Sequence, residues 1–220
     1  MSMTEGKVTL NKAEGIEYLL VPSEKSDKTV VMLHGFGADA TDLMPIMEYI
    51  DNGRRWNWIF PNGIKSAPAG YGSKSWFDID IDALESALRT GTHRTMSESR
   101  PEGLEPARQQ MARFLNKVCP DKSKYILGGF SQGSMLALDV ALHEREKPAG
   151  LLLFSTTLLN IDVWEPLIKL AKGMPYYQSH GSNDPLLNVE DAKDLNRILS
   201  VAGWKLSLIH ISEPTRPSVI

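Results

Sequence analysis

The run GGFSQGSM, residues 128–135, places a single serine between two glycines. Gly129 to Gly133 spell Gly-x-Ser-x-Gly, with Ser131 at the centre. The apolar run KYILGGF precedes the serine and the helical pattern QGSMLALDVAL follows it, which predicts a sharp strand-to-helix turn that exposes the hydroxyl at the sheet edge. Free N–H groups at the helix N-terminus favour negative charge there. We predict that Ser131 is a nucleophile; the alternative is a passive serine in a glycine-rich turn.

A second loop could stabilise the negative charge that such a nucleophile creates. The run MLHGFGAD, residues 32–39, follows the predicted strand TVVM and has glycines on both sides of Phe36. We predict that the backbone N–H groups of Phe36 and Gln132 form an oxyanion hole. His34 lies in the same loop and is interpreted as a residue that shapes the loop, not as a base.

A third loop offers the acid that would orient a histidine base. Asp184 lies in HGSNDPLL, residues 180–187, after the predicted strand PYYQS. Because functional loops gather at the carboxyl ends of parallel strands, we expect Asp184 on the same sheet edge as Ser131. The alternative is a turn residue that precedes Pro185.

The sequence does not predict a metal site or a cofactor. In DIDIDALE the acidic residues alternate as in a calcium loop, but Ala83 stands where that loop needs glycine and Arg89 where it needs glutamate. Cys119 is the only cysteine, which excludes an intramolecular disulfide, and its apolar surroundings favour a structural role.

The elements that must position these loops alternate between strands and helices. Six short apolar runs read as strands: EYLLVP, TVVMLHG, WNWIFPNG, KYILGGF, GLLLFST and MPYYQSHG. Five helical patterns follow or separate them: ATDLMPIMEYI with Asp39 or Thr41 as its cap, EPARQQMARFLNKV, QGSMLALDVALHERE, DVWEPLIKLAKG and VEDAKDLNRILSVAG. Continuous apolar strands indicate an α/β fold with a mostly parallel sheet and helices on both faces. Residues 89–103 are predicted to be an exposed loop.

Composition narrows the class of protein further. A length of 220 residues, 42% of them hydrophobic, fits one globular domain. The net charge of −3 gives no basic surface, so nucleic acid is not an expected partner. No segment has the roughly 18 apolar residues needed to span a bilayer, and no leader pattern is visible, so we expect a cytoplasmic protein without an integral membrane segment.

Taken together, LHGFGAD, PNG at residues 61–63, SWFDI at residues 75–79, GGFSQGSMLAL and HGSNDPLL resemble one family, the serine carboxylesterases and lysophospholipases that include the acyl-protein thioesterases. This resemblance implies an α/β-hydrolase fold, hydrolysis of short- to medium-chain acyl esters or thioesters, and no cofactor. It also implies that Trp76 and Phe77 lie near the acyl pocket, the alternative for both being core packing.

The resemblance ends at about Trp204. We therefore predict a single domain over residues 1–204 and an atypical tail over 205–220 that lacks the final helix of the family. The family places its catalytic histidine in a Gly-His turn, whereas this tail has only His210 after Asp184, and prolines where the helix would run. His210 is a doubtful general base. The run SLIHISEPTRP also resembles translated sequencing adapter, which favours a non-native tail.

Two functional hypotheses remain from the sequence. One is a serine esterase or thioesterase whose activity is in doubt because its base is missing or misplaced. The other is a catalytically silent protein of the same fold that binds an acyl or aromatic ligand near Trp76.

Overall fold

The structure is a computed structural model that describes residues 7–68, 72–90 and 96–212. Its strands are β1 (Thr9–Ala13), β2 (Ile16–Val21), β3 (Thr29–Leu33), β4 (Asn57–Pro61), β5 (Lys65–Ser66), β6 (Lys74–Ser75), β7 (Tyr125–Phe130), β8 (Gly150–Phe154), β9 (Pro175–Gly181) and β10 (Lys205–Ser212). Its helices are α1 (Met44–Ile50), α2 (Ile81–Thr90), α3 (Leu104–Val118), α4 (Gln132–His143), α5 (Ile161–Leu170) and α6 (Val189–Val201).

Eight strands form one sheet in the order β1-β2-β4-β3-β7-β8-β9-β10. The pairs from β4 through β3, β7, β8 and β9 to β10 are parallel, whereas β1 and β2 add an antiparallel hairpin at one edge. The short strands β5 and β6 pair separately. The prediction of a mostly parallel sheet is confirmed, and all six predicted strands are present.

Side chains that alternate along β3 and β4 enter two separate cores. Val31, Leu33 and Ile59 join the core on the side of α3, α4, α5 and α6. Val30 and Trp58 point to the opposite face, where α1 covers them through Met47. Helices on both faces explain why these strands are apolar at every position.

The α1 face is less well covered beyond the centre of the sheet. Leu151 and Leu153 of β8 point to the α3–α6 side and are fully buried. Leu152, Phe154 and Tyr177 alternate with such positions and are only half-buried. This part of the sheet therefore retains accessible apolar surface.

Two local predictions need correction. Helix α1 begins at Met44, and the predicted cap Asp39 instead accepts hydrogen bonds from the backbone N–H and hydroxyl of Thr41, so it closes a turn before the helix. Arg89, predicted to start a loop, lies in α2, which runs to Thr90. The remainder of that predicted loop includes residues 91–95, which lie outside the described residues.

Residues 205–212, predicted to belong to an atypical tail, form β10 and extend the sheet in parallel beside β9. The pairing shifts register between Leu206 and Ile209. Ordered pairing therefore continues past the proposed domain boundary at residue 204. Within the described ranges, no helix is long and apolar enough to cross a membrane.

Candidate active site

Ser131 is the single residue between β7 and α4, as predicted. Its backbone angles are φ 51° and ψ −118°, a region that residues with a Cβ rarely occupy. Hydrogen bonds hold the turn: the Ser131 N–H donates to the Phe154 carbonyl at 2.9 Å, and the Ser131 carbonyl accepts from the Ser134 hydroxyl at 2.7 Å. The turn therefore maintains a strained conformation at the predicted nucleophile.

Gly133 allows α4 to begin directly against the end of β3. A Cβ at this position would lie 2.1 Å from the Leu33 carbonyl oxygen and 2.5 Å from that of His34. Since both neighbours are backbone atoms, no side chain fits without a displacement of one element. This close approach brings the start of α4 beside the loop that follows β3.

His34 is a buried part of that loop. Its Nε2 accepts a hydrogen bond from the Gly63 N–H at 2.8 Å, so its Nδ1 carries the proton that is donated to the Gly35 carbonyl at 2.7 Å. Burial lowers the pKa of His34, which favours this neutral form. Both ring nitrogens bind backbone groups, which supports the interpretation that His34 shapes the loop.

A cavity of about 350 Å³ opens beside Ser131. Phe36 and Gln132, the predicted oxyanion donors, line it together with Ser131. The rest of the wall is largely apolar and includes the side chains of Phe77, Ile79, Met96, Met135, Leu186 and Leu187. An apolar cavity of this size next to a hydroxyl is typical of a site for an apolar small-molecule group.

The two aromatic residues predicted for the pocket have different positions. Phe77 lines the cavity, whereas Trp76 is buried behind it and is not part of its wall. The indole Nε1–H of Trp76 donates to the His34 carbonyl at 2.8 Å, and this bond turns the ring toward the β3 loop. Trp76 therefore does not line this cavity and is packed in the core, as the alternative interpretation has it.

Asp184 lies on the same edge of the sheet as Ser131. In register, Phe130 at the end of β7 is opposite Phe154, and Phe154 is opposite Ser179, two residues before the end of β9. The Asp184 loop begins where β9 ends. The predicted edge is confirmed, because β7, β8 and β9 are parallel.

The Asp184 carboxylate organises its own loop. Its Oδ1 accepts hydrogen bonds from the backbone N–H groups of Leu186 at 2.9 Å and Leu187 at 3.0 Å, and both of these leucines line the cavity. Its Oδ2 is 3.8 Å from Nε2 of His180. The turn role considered from the sequence is thus present in the structure.

The histidines near these loops have other contacts. His180 is buried in β9, and its Nε2 donates to the Leu187 carbonyl at 3.1 Å. His143 ends α4, far along the helix from Ser131, and its Nδ1 donates to the Asp139 carbonyl. His210 lies within β10, paired with Ser179, and not in a turn after the strand. His93 lies outside the described residues.

Several wall residues were not predicted from the sequence. Met135 is four residues after Ser131 and so lies on the same side of α4, a spacing that could have identified it. Leu186 and Leu187 follow Asp184 directly. Ile79 ends the run SWFDI, two residues after Phe77, whereas Met96 comes from a segment without a recognisable local pattern and only the fold brings it to the cavity.

Other reactive groups lie away from this site. Burial raises the pKa of the Cys119 thiol to about 11, which agrees with a structural role. Within residues 7–68, 72–90 and 96–212, no group of three histidine, cysteine, aspartate or glutamate side chains is arranged to hold a metal ion.

Known proteins resemble the chain in both sequence and fold. It is 26% identical over 192 residues to the acyl-protein thioesterase 1 of Cryptococcus neoformans, covering 84% of this chain and 78% of that protein. It is 27% identical over 203 residues to the Neurospora crassa protein of the same name, and the match covers 86% of this chain and 80% of that protein.

Solved structures share the fold. Esterase PE8 superposes with a TM-score of 0.71 at 23% identity, covering 89% of this chain and 88% of that one. A Mesorhizobium loti carboxylesterase gives the same TM-score at 16% identity, and the match covers 93% of this chain and 89% of that one. The α/β-hydrolase fold is confirmed. Residues 15–211 match the family described as Phospholipase/Carboxylesterase, which extends past the predicted end of the resemblance at Trp204. The chain therefore belongs to the phospholipase/carboxylesterase family and is an esterase-like hydrolase.

Proposed function

We propose that the chain is a serine hydrolase of short- to medium-chain carboxylic esters and thioesters, with Ser131 as the residue that carries the acyl group. The observation that supports this most directly is the strained turn of Ser131 at the wall of an apolar cavity. The names of the fungal relatives, acyl-protein thioesterases, support thioesters as substrates.

In the proposed reaction the Ser131 hydroxyl oxygen attacks the acyl carbonyl carbon, and the hydroxyl proton passes to a general base. The oxyanion that forms accepts hydrogen bonds from the backbone N–H groups of Phe36 and Gln132. The base then protonates the leaving alcohol or thiol, and water hydrolyses the acyl-serine ester in the same manner. Asp184 is the proposed acid that orients the base.

We also propose that this chain turns over esters slowly. His210, the doubtful base, lies inside β10, paired with Ser179, and not in a turn at the carboxyl end of that strand. When one member of a serine triad is missing, about 10³–10⁴-fold acceleration over water remains from the oxyanion hole and from binding. We expect turnover below the ordinary range of about 1–10³ s⁻¹.

The test compares ester hydrolysis in two backgrounds. The chain itself is assayed with a short-chain p-nitrophenyl ester beside Ser131→Ala. A second version keeps β10 and replaces residues 213–220 with a Gly-His turn and an amphipathic helix. We expect this version to hydrolyse the ester much faster, and Ser131→Ala to abolish that gain. Ordinary turnover by the unaltered chain, abolished by His210→Ala, would show that the natural base is His210.

The alternative function is a silent protein that binds an acyl or aromatic ligand in the cavity. One observation favours it: Oδ1 of Asp184 accepts hydrogen bonds from two backbone N–H groups of its own loop, as a residue with only a turn role would. A chain with the restored Gly-His turn that binds acyl compounds without hydrolysing any ester would support this alternative.

A further inference from the structure

The segment that follows β6 holds the first residue of α4 in place. The backbone N–H of Trp76 donates to Oε1 of Gln132 at 2.9 Å, and Nε2 of Gln132 donates to the Phe77 carbonyl at 2.8 Å. The Gln132 side chain is buried, so these bonds are shielded from water. They connect the residue after Ser131 to the backbone of the Trp76 segment.

The same segment holds the loop that contains Phe36. The indole Nε1–H of Trp76 donates to the His34 carbonyl at 2.8 Å, two residues before Phe36. One residue after Phe36, the Gly37 N–H donates to the Lys74 carbonyl at 2.9 Å. Phe36 is therefore fixed from both sides by the short stretch that ends at Trp76.

Trp76 contacts both loops. Its backbone binds the Gln132 side chain and its side chain binds the backbone of the β3 loop. Its ring also packs on the His34 ring, with 5.1 Å between ring centroids. Trp76 is only 1% exposed, so its indole N–H and the carbonyl it binds have no ready substitute in water.

We propose that Trp76 is a positioning residue that fixes the Phe36 and Gln132 N–H groups relative to each other. It acts without contact to the substrate. This inference rests on the proposed function, in which those two groups bind the oxyanion. Hydrogen-bond donors stabilise an oxyanion only when they are fixed where the charge develops, so a small displacement of one loop weakens the pair.

The probes are hexylphosphonate and 1-hexanol, followed by NMR titration. Hexylphosphonate has a tetrahedral anionic head that imitates the oxyanion, while 1-hexanol has the same chain and a neutral head. Neither probe needs a general base, so the unaltered chain can be used. The variant is Trp76→Phe, which removes the indole N–H.

Trp204→Phe is the matched control. The indole of Trp204 is also buried and also donates to a backbone carbonyl, that of Ile168, at 2.9 Å. Ile168 and Trp204 do not line the cavity. A purely structural effect of the loss of an indole N–H should therefore be equal in the two variants.

We expect the unaltered chain to bind hexylphosphonate more tightly than 1-hexanol. Trp76→Phe should lose about tenfold or more of the hexylphosphonate affinity, as expected for disturbed oxyanion donors, and keep its 1-hexanol affinity. Trp204→Phe should change neither. Equal phosphonate affinity in the two variants overturns the inference and leaves the proposed function standing. If the unaltered chain does not prefer the phosphonate, the proposed oxyanion site is refuted and the inference with it.

A second replacement serves if Trp76→Phe does not fold. Site-specific incorporation of 3-benzothienylalanine at Trp76 keeps the bicyclic shape and has sulfur in place of the N–H. The same replacement at Trp204 is its control. The expected and refuting results are those given for the phenylalanine variants.

Discussion

Ser131 has a backbone conformation that glycine would adopt with less strain. Its φ of 51° and ψ of −118° lie outside the common regions for residues with a Cβ. Such strain costs about 1–3 kcal/mol. Glycine removes it but loses about 0.5–1 kcal/mol of stability through the greater freedom of the unfolded chain. We therefore expect Ser131→Gly to be more stable than Ser131→Ala by about 1 kcal/mol.

The assay is urea unfolding of the two variants side by side. Both lack the hydroxyl, so their difference isolates the Cβ. In a chain of this size 1 kcal/mol corresponds to about 2–4 °C in Tm, which gives a second measurement. Neither variant retains the proposed nucleophile, so the stabilised protein should be inactive even when a Gly-His turn is supplied.

Ser134, in the first turn of α4, provides the control, because Ala and Gly there both lose its hydroxyl bond to the Ser131 carbonyl and differ only in the Cβ. There Ala should be more stable than Gly by about 1 kcal/mol, the usual preference inside a helix. The order of the two variants should therefore reverse between positions 131 and 134. If Ser131→Gly is no more stable than Ser131→Ala, the turn stores no strain and this reasoning is wrong.

Two further predictions concern contacts near the sheet. Gly133→Ala should destabilise the fold by about 1–3 kcal/mol in urea unfolding, because its Cβ would lie 2.1 Å from the Leu33 carbonyl oxygen. Gly53→Ala is the control: its Cβ would make only ordinary contacts, so its stability should be nearly unchanged. Burial acts to raise the pKa of Asp51, but hydrogen bonds from backbone N–H groups and the Trp58 indole outweigh it and lower the pKa. The stabilisation by Asp51 should thus be complete above its unfolded pKa of about 3.9 and be lost as pH falls through the lower folded value. Asp51→Asn should lower the free energy of unfolding by about 1–3 kcal/mol at pH 7 and by less at pH 3. An equal loss of stability at the two pH values would contradict this reasoning.

The strands of the sheet were predictable where both of their faces are covered. β3 and β4 are continuous apolar runs because helices cover both of their faces, whereas β8 is buried on one face and half-buried on the other. β1 has mostly exposed residues, so its sequence carries no comparable signal. β10 has no local signal of this kind, because its order comes from parallel pairing with β9, a strand that is distant in sequence.

The site was predictable where its determinants are local. The Gly-x-Ser-x-Gly run, the strand before it and the helix after it are adjacent in sequence, so the turn at Ser131 could be identified. Trp76 could not be placed in the same way, because its partners His34 and Gln132 are 42 and 56 residues away. As an aromatic residue, Trp76 is expected to make apolar contacts with a ligand or with the core. In the structure, the hydrogen bond from its indole N–H to the His34 carbonyl determines where the ring lies.

The turn role of Asp184 and its proposed catalytic role need not exclude each other. Its two carboxylate oxygens have different neighbours: Oδ1 binds the N–H groups of Leu186 and Leu187, and Oδ2 is 3.8 Å from Nε2 of His180. The bonds to Oδ1 fix two leucines of the cavity wall and, with them, the direction of Oδ2. A carboxylate held in this way can orient a histidine without further reorganisation, since its own loop already restrains it. The turn is therefore the means by which the proposed acid is positioned.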